Sequence, residues 1–241
     1  MRHRILNGEM KMEDKKELLE KQETEEIDAQ EMLQILQKSR KLMTVFNEYR
    51  SAIMEVETKL RILDMELSMD MDKNPIEAIH SRLKRPKSIL EKLQRRGYPI
   101  TLASIRENLL DIAGIRVICD FTDEIYKLES LLARQTDITV LKRKDYIENP
   151  KPNGYRSLHL TVSVPIFLIE GVKNVPVEVQ FRTMAMDFWA SLEHKLKYKK
   201  HICAETDISS RLKYCAEKAA ALDQEMMYIR RDIDRYGTDC E

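Results

Sequence analysis

The chain has 241 residues, enough for one sizeable domain with helical additions, and 34% of them are charged, which points to long solvated helices. Lys plus Arg and Asp plus Glu both number 41, so the formal net charge is zero and any polyanion site must come from local clustering. Glycine is scarce, at six residues, and neither GxxxxGK followed by Ser or Thr nor GxGxxG occurs, so side-chain cations would have to hold any phosphate.

Residues 1–30 are charged and weakly patterned, without the apolar run of a secretory signal, and read as an arm. A helical extension is expected over 31–73, where Leu42, Phe46, Tyr49, Ile53, Val56, Leu60, Leu63 and Leu67 recur at alternating spacings of four and three. Asn74-Pro75 is read as opening a short helix that reaches Leu83. Pro86 suits the first turn of a second helix, which Gly97 stops. Thr101 starts a third, ending near Leu110. Residues 112–119 (IAGIRVIC) read as a buried strand and 122–134 as a helix capped by Thr122. Strands are expected at 137–143, 157–167 and 175–183, then a helix over 184–199 with Phe188 and Trp189 in the core. The C-terminal helix, within 201–241, carries a second seam: Ile208, Leu212, Cys215, Ala219, Leu222, Met226, Ile229, Ile233 and Tyr236. Either seam can pack on a central domain over 74–200 or build an oligomer. The whole reads as a mixed α/β sheet in a helical frame. Cys119, Cys203, Cys215 and Cys240 form no CxxC and no metal-ligand spacing, and no stretch approaches the roughly 18 apolar residues of a membrane span. The expectation is a cytoplasmic protein with reduced thiols.

Three clusters carry possible chemistry. In RLKRPKSILEKLQRR, residues 82–96, seven cations face one acid, Glu91. Ser88, Lys92, Arg95 and Arg96 can share one helix face while Ile89, Leu90 and Leu93 pack inward. Such a face fits a polyphosphate, a nucleic-acid patch or plain solvent, and spacing does not choose among them. The second cluster lies on two strands. In VPVEVQFRT the alternation puts Glu178, Gln180 and Arg182 on one face, and in YRSLHLTVSV it does the same for His159. A glutamate on a strand of Val and Phe must be paired, metal-bound or wet. Asp111, at the entrance to the 112–119 strand, offers a second carboxylate, with Arg116 beyond it. Two such carboxylates suit a Mg²⁺ that also binds substrate phosphates, and they suit an ordinary salt-bridged face as well. The third cluster is the loop NPKPNGYRSLHL, residues 149–160. There Tyr155 either stacks on a nucleobase or packs as a lid, flanked by Lys151 and Arg156.

Taken in order, RLKRPKSILEKLQRR, DIAGIRVIC, KDYIENPKPNGYRSLHL and VEVQFRTMAMDFWASLEHK resemble the (p)ppGpp synthetase domain of the RelA/SpoT family. The short chain is similar to the small alarmone synthetases of that family, in the RelP-like branch. The resemblance implies a nucleotidyltransferase-like domain with a mixed sheet of about five strands. It implies a GTP diphosphokinase that moves the β,γ-pyrophosphate of ATP to the 3′-hydroxyl of GDP or GTP, with Mg²⁺ as cofactor. By similarity, Arg82 and Arg116 would sandwich adenine, and Lys84, Ser88, Lys92 and Arg95 would hold the ATP phosphates. Asp111 and Glu178 would bind the metal, and Glu178 would orient or deprotonate the attacking hydroxyl. Tyr155 would stack on guanine, with Lys144, Lys151, Arg156, His159 and Gln180 around the rest of the acceptor and Asp187 reading the guanine edge.

The resemblance also implies a homotetramer. No His-Asp dipeptide of the family's hydrolase domain occurs, so synthesis without hydrolysis is expected. Nucleic acid is not an expected substrate, with RNA at most a regulator. Two rival readings are a nucleotidyltransferase acting on a nucleic-acid end and a repurposed RNA-binding or coiled-coil module. The first lacks its paired aspartates in the strand region, since the DxD of Met69-Asp70-Met71-Asp72 falls at the end of a long helix.

Overall fold

A computed structural model describes residues 29–71, 74–198 and 206–238. The chain divides into two units, residues 1–43 and 44–241. In the first, residues 29–43 are helical, the opening of helix α1 (Ala29–Met71). The expected arm, apart from its last two residues, lies outside the described residues, as do Asp72, Cys203 and Cys240.

In the second unit the four-three seam does what its period predicts. Tyr49, Ile53, Val56, Leu60, Leu63 and Leu67 are all buried in the main core. Asp64 Oδ1 of α1 accepts the Ile76 N–H at 3.0 Å where the first strand begins.

That strand, β1 (Ile76–Leu83), replaces the expected helix. The apolar positions Ile76, Ile79 and Leu83 carry helix-like spacings of three and four because a bulge between Ile76 and Ala78 adds one residue to the period-two alternation. Helix α2 (Pro86–Arg96) runs as read, ended by Gly97 at φ +69°. It buries Ile89 and Leu93 but leaves Leu90 at the surface. Helix α3 (Leu102–Asn108) is capped by Thr101, whose hydroxyl accepts the Ser104 N–H. Strand β2 (Ala113–Cys119) follows, then α4 (Thr122–Ala133). The α4 cap is Phe121 rather than Thr122: the Phe121 N–H donates to the Glu124 carboxylate at 2.9 Å. Strands β3 (Thr139–Asp145), β4 (Leu158–Leu168) and β5 (Gly171–Thr183) complete the sheet, and α5 (Met184–Tyr198) and α6 (Thr206–Thr238) follow.

The five strands lie in the order β1-β2-β5-β4-β3, with β2 and β5 parallel and the other pairs antiparallel. Val177, Val179 and Phe181 of β5 and Leu158, Leu160, Val162 and Val164 of β4 are buried, as alternation requires. On α5, Trp189 is buried and Phe188 exposed, which corrects half of the expected aromatic core. Helix α6 departs further from its seam. It buries Ala216, while Leu222, Met226, Ile229 and Ile233 stay exposed. Met54, Met65 and Met69 of α1 lie on the surface.

Candidate active site

Directly opposed residues in a sheet point to the same face, so strand register builds the site row by row. One row runs Arg82, Gly114, Glu178, Thr161, Lys142 across β1, β2, β5, β4 and β3. The next runs His80, Arg116, Gln180, His159, Lys144. Four residues singled out from sequence, Arg116, Gln180, His159 and Lys144, therefore share a single row. Glu178 and Arg82 sit in the row beside it.

The empty place in the first row is Gly114. Arg82 lies along it, with Cγ and Nε 3.5 and 3.6 Å from where a β-carbon would stand. A cleft of about 160 Å³ results, lined by Arg82, Arg116, Gly114, Gln180, His80 and their neighbours. Both guanidiniums, of Arg82 and Arg116, line it.

Asp111 stands at the mouth of β2. Its Oδ2 accepts from Lys84 Nζ at 2.7 Å and Lys92 Nζ at 2.5 Å, while Oδ1 is buried without a hydrogen-bond partner. Burial pushes the Asp111 carboxyl up, but the two ammonium groups outweigh it and hold the group below the ordinary carboxylate range. Burial, with Lys84 and Arg96 nearby, lowers Lys92 against the pull of Asp111. Ser88 is half-buried and Arg95 exposed on the same helix as Lys92.

Glu178 shows the same balance. Burial raises its carboxyl, and the His159 imidazole and the Gln180 amide more than reverse this, so it is ionised at neutral pH. Gln180 Nε2 donates to Glu178 Oε2 at 2.8 Å, and His159 Nδ1 lies 3.6 Å from Oε1. The charges of Asp111 and Glu178 oppose each other. Among the described residues no group of three or more His, Cys, Asp or Glu could hold a metal. A divalent ion here would thus have two carboxylates, one with an orphaned buried oxygen, and would need phosphate and water for its other ligands. That division suits Mg²⁺, which keeps several waters and shares substrate phosphates.

The 149–157 loop reaches this face from below β4. Asn153 Oδ1 accepts the Tyr155 N–H at 3.2 Å, and its amide donates to Glu193 of α5. Gly154, at φ +88°, lies against α6 so closely that a β-carbon would stand 2.6 Å from the Ala216 β-carbon. Tyr155 packs against the cluster of Trp189, Ala190 and Ala216, so helix α6 helps seat the loop. Lys151 Nζ lies 4.5 Å from the Tyr155 ring centroid, and a base stacking on that face would displace it. Arg156 is not brought together with these groups. Its Nη1 donates to the Ile147 carbonyl at 2.8 Å, and it lines a separate cavity of about 510 Å³ with Thr122, Met186, Asp223 and Tyr228.

Sequence reasoning placed Arg182 on the polar face but gave it no role. In the structure it is buried and donates to Asp187 Oδ1 at 2.9 Å, Tyr155 Oη at 2.8 Å and Gln180 Oε1 at 3.3 Å. Asp187 also pairs with Arg116 at 3.2 Å, so its Oδ1 already answers two guanidiniums. Alternation with Glu178 and Gln180 was the signal that could have marked Arg182.

Comparison with known proteins bears on this geometry. The profile described as "Region found in RelA / SpoT proteins" matches residues 81–202. The GTP pyrophosphokinase YwaC of Bacillus subtilis (strain 168) is 44% identical over 186 residues, covering 77% of this chain and 89% of that protein. The GTP pyrophosphokinase YjbM of the same organism is 40% identical, over 77% of this chain and 86% of its own. Among solved structures, small alarmone synthetase 1 from Bacillus subtilis bound to its product pppGpp superposes with a TM-score of 0.74 at 38% identity, covering 80% of this chain and 98% of that one.

Proposed function

From a chain that belongs to the RelA/SpoT family, we propose the activity for which these relatives are named: this protein is a GTP pyrophosphokinase that makes (p)ppGpp from ATP and GDP or GTP, without hydrolysing it. The observation that carries the reading is a pair of ionised carboxylates, Asp111 and Glu178, set among cations between the Arg82–Arg116 cleft and the Tyr155 loop.

ATP enters with adenine between Arg82 and Arg116 and its phosphates along Lys84, Ser88, Lys92 and Arg95. The acceptor guanine lies on Tyr155, with Lys144, Lys151, His159 and Gln180 around its sugar and phosphates. Glu178 accepts the hydrogen bond of the 3′-hydroxyl and takes its proton as the oxygen attacks the β-phosphorus of ATP. The new O–P bond forms as the bond from the β-phosphorus to the α,β-bridging oxygen breaks, and AMP leaves. A Mg²⁺ held by Asp111 and Glu178 would neutralise phosphate charge and make the β-phosphorus more electrophilic. Because the transferred group and both nucleotides are anionic, catalysis is mostly alignment and charge neutralisation. That explains a cation-rich face on a chain of zero net charge.

The test is product analysis: purified protein with Mg²⁺, ATP and either GDP or GTP, separated by anion exchange. A more anionic guanine nucleotide with stoichiometric AMP is the expected result. Intact substrates at high enzyme would refute the reading.

Asp187 reads the guanine edge through Oδ2, because Oδ1 already serves Arg182 and Arg116; N1–H and the 2-amino group are the donors such an oxygen meets on guanine, a pair adenine lacks. Asp187→Ala should erode discrimination between GTP and ATP as acceptor by roughly tenfold or more, as loss of a charged hydrogen-bond acceptor does. An unchanged ratio of kcat/KM for the two acceptors would remove Asp187 from that role.

The protein works as a homotetramer in the cytoplasm. Two observations support this: no helix among the described residues is long and apolar enough to cross a membrane, and Leu222, Met226, Ile229 and Ile233 form an uncovered stripe on α6. Ile229→Glu, measured by light scattering, should lower the particle mass at least twofold. An unchanged mass would exclude the stripe as the interface.

A further inference from the structure

The polar contacts around Glu178 close into a ring of four hydrogen bonds and one longer ion-pair contact, that between His159 and Glu178. From Glu178 it passes to His159 Nδ1 at 3.6 Å, from His159 Nε2 to Tyr155 Oη at 2.8 Å, then to Arg182 Nη2 at 2.8 Å. From Arg182 it continues to Gln180 Oε1 at 3.3 Å, and Gln180 Nε2 returns to Glu178 Oε2 at 2.8 Å. Arginine can only donate, and this one is buried, so its protons fix the direction of both arms. Along one arm, Arg182 donates into the Gln180 carbonyl, which turns the amide nitrogen toward Glu178. Along the other, Arg182 donates into the Tyr155 hydroxyl. That hydroxyl, once it accepts from Arg182, has its own proton free to donate to His159 Nε2, which leaves the ring proton of the neutral imidazole on Nδ1, facing Glu178.

We propose that Arg182 is the positioning residue of this site: it sets the tautomer of His159 and the flip of Gln180, so that both turn an N–H toward Glu178 and keep its carboxylate aimed. Asp187 holds the guanidinium from the other side through Nη1. Tyr155 thus has a second task besides presenting its ring, as the hydroxyl relay between Arg182 and His159. This rests on the assignment of Glu178 as the reacting carboxylate, but the ring can be tested without turnover.

The measurement is nitrogen NMR on protein carrying ¹⁵N-labelled histidine, which distinguishes Nδ1–H from Nε2–H imidazole. The native protein should show His159, identified by its loss in His159→Gln, as the Nδ1–H form above the histidine titration range. Tyr155→Phe deletes the relay oxygen without touching the core, and Arg182→Met removes the source. Both should shift His159 toward a mixture or toward the Nε2–H form. In parallel, both should lower kcat/KM for the acceptor roughly 10- to 100-fold, the usual loss for hydrogen bonds to charged groups. Their effects should fail to add in the double variant, because they break the same chain. Arg182→Lys, which keeps charge but cannot reach three acceptors, should recover only part of the loss. A native His159 in the Nε2–H form, an Nδ1–H form that persists in Tyr155→Phe, or additive effects of the two substitutions would overturn the proposal. If Glu178→Gln proved fully active while Tyr155→Phe and Arg182→Met shifted the tautomer as expected, the assignment of Glu178 as the reacting carboxylate would fail and the ring would stand.

Discussion

Glu178→Gln is expected to lower turnover by about three orders of magnitude or more, the combined scale of losing a base and a positioned charge. The substitution is nearly isosteric. Its amide oxygen can keep the short bond from Gln180 Nε2, and the NH2 then faces His159 Nδ1 across the longer contact, where a change of imidazole tautomer supplies an acceptor, so the fold should melt close to the native temperature. What disappears is the negative charge, held ionised against its own burial by His159 and Gln180. The loss should therefore fall on kcat and leave both nucleotide affinities within a few-fold of native. Initial rates at saturating ATP and acceptor, with calorimetric binding of each nucleotide, separate the two. Activity within tenfold of native would mean that Glu178 is not the group that meets the hydroxyl.

Gly154→Ala is the second large effect, and it works through packing. A side chain at φ +88° is strained by about 1–2 kcal/mol. The added methyl would also stand 2.6 Å from the Ala216 β-carbon, a stub on helix α6 that cannot rotate aside. Overpacking of that kind costs about 1–3 kcal/mol. The relief available is to lift the loop from α6, which carries Tyr155 and Lys151 with it. The expected result is a melting temperature lower by several degrees and an acceptor KM raised roughly tenfold, with ATP binding little changed. Adding Ala216→Gly should return the packing part and leave the backbone strain. Gly154→Ala with native melting and native acceptor KM would show that α6 does not seat the loop.

The sequence was most legible where one period ran undisturbed. Alternation on β4 and β5 placed Glu178, Gln180 and His159 on one face before any register was known, and the α1 seam was readable because its apolar side meets the core. Failures came where two signals overlapped. The bulge in β1 gave a strand a helical spacing. On α6 the apolar seam was real but faced outward, because small residues such as Ala216 are what close contact with Gly154 demands, and a heptad reading ranks alanine low. Asp111 could be located as a strand-end carboxylate, but its two lysine partners come from β1's exit and α2, and only the fold joins them. Arg156 follows Tyr155 directly and looked like its companion. The loop turns Tyr155 toward His159 and Arg182 and Arg156 toward a separate cavity, which adjacency in sequence cannot reveal.

Gly114 carries a broader consequence. A glycine inside a central strand weakens the sheet by roughly 0.5–1 kcal/mol relative to alanine. Nothing about its backbone demands it, and the nearest atoms, those of Arg82, lie at ordinary contact distance from a β-carbon. Alanine would therefore fit the folded protein and strengthen it, while taking the floor of the Arg82–Arg116 cleft. Selection for thermal robustness alone would favour filling that position, and selection for throughput would keep it bare. The missing methyl group marks where this sheet has given up strength for room.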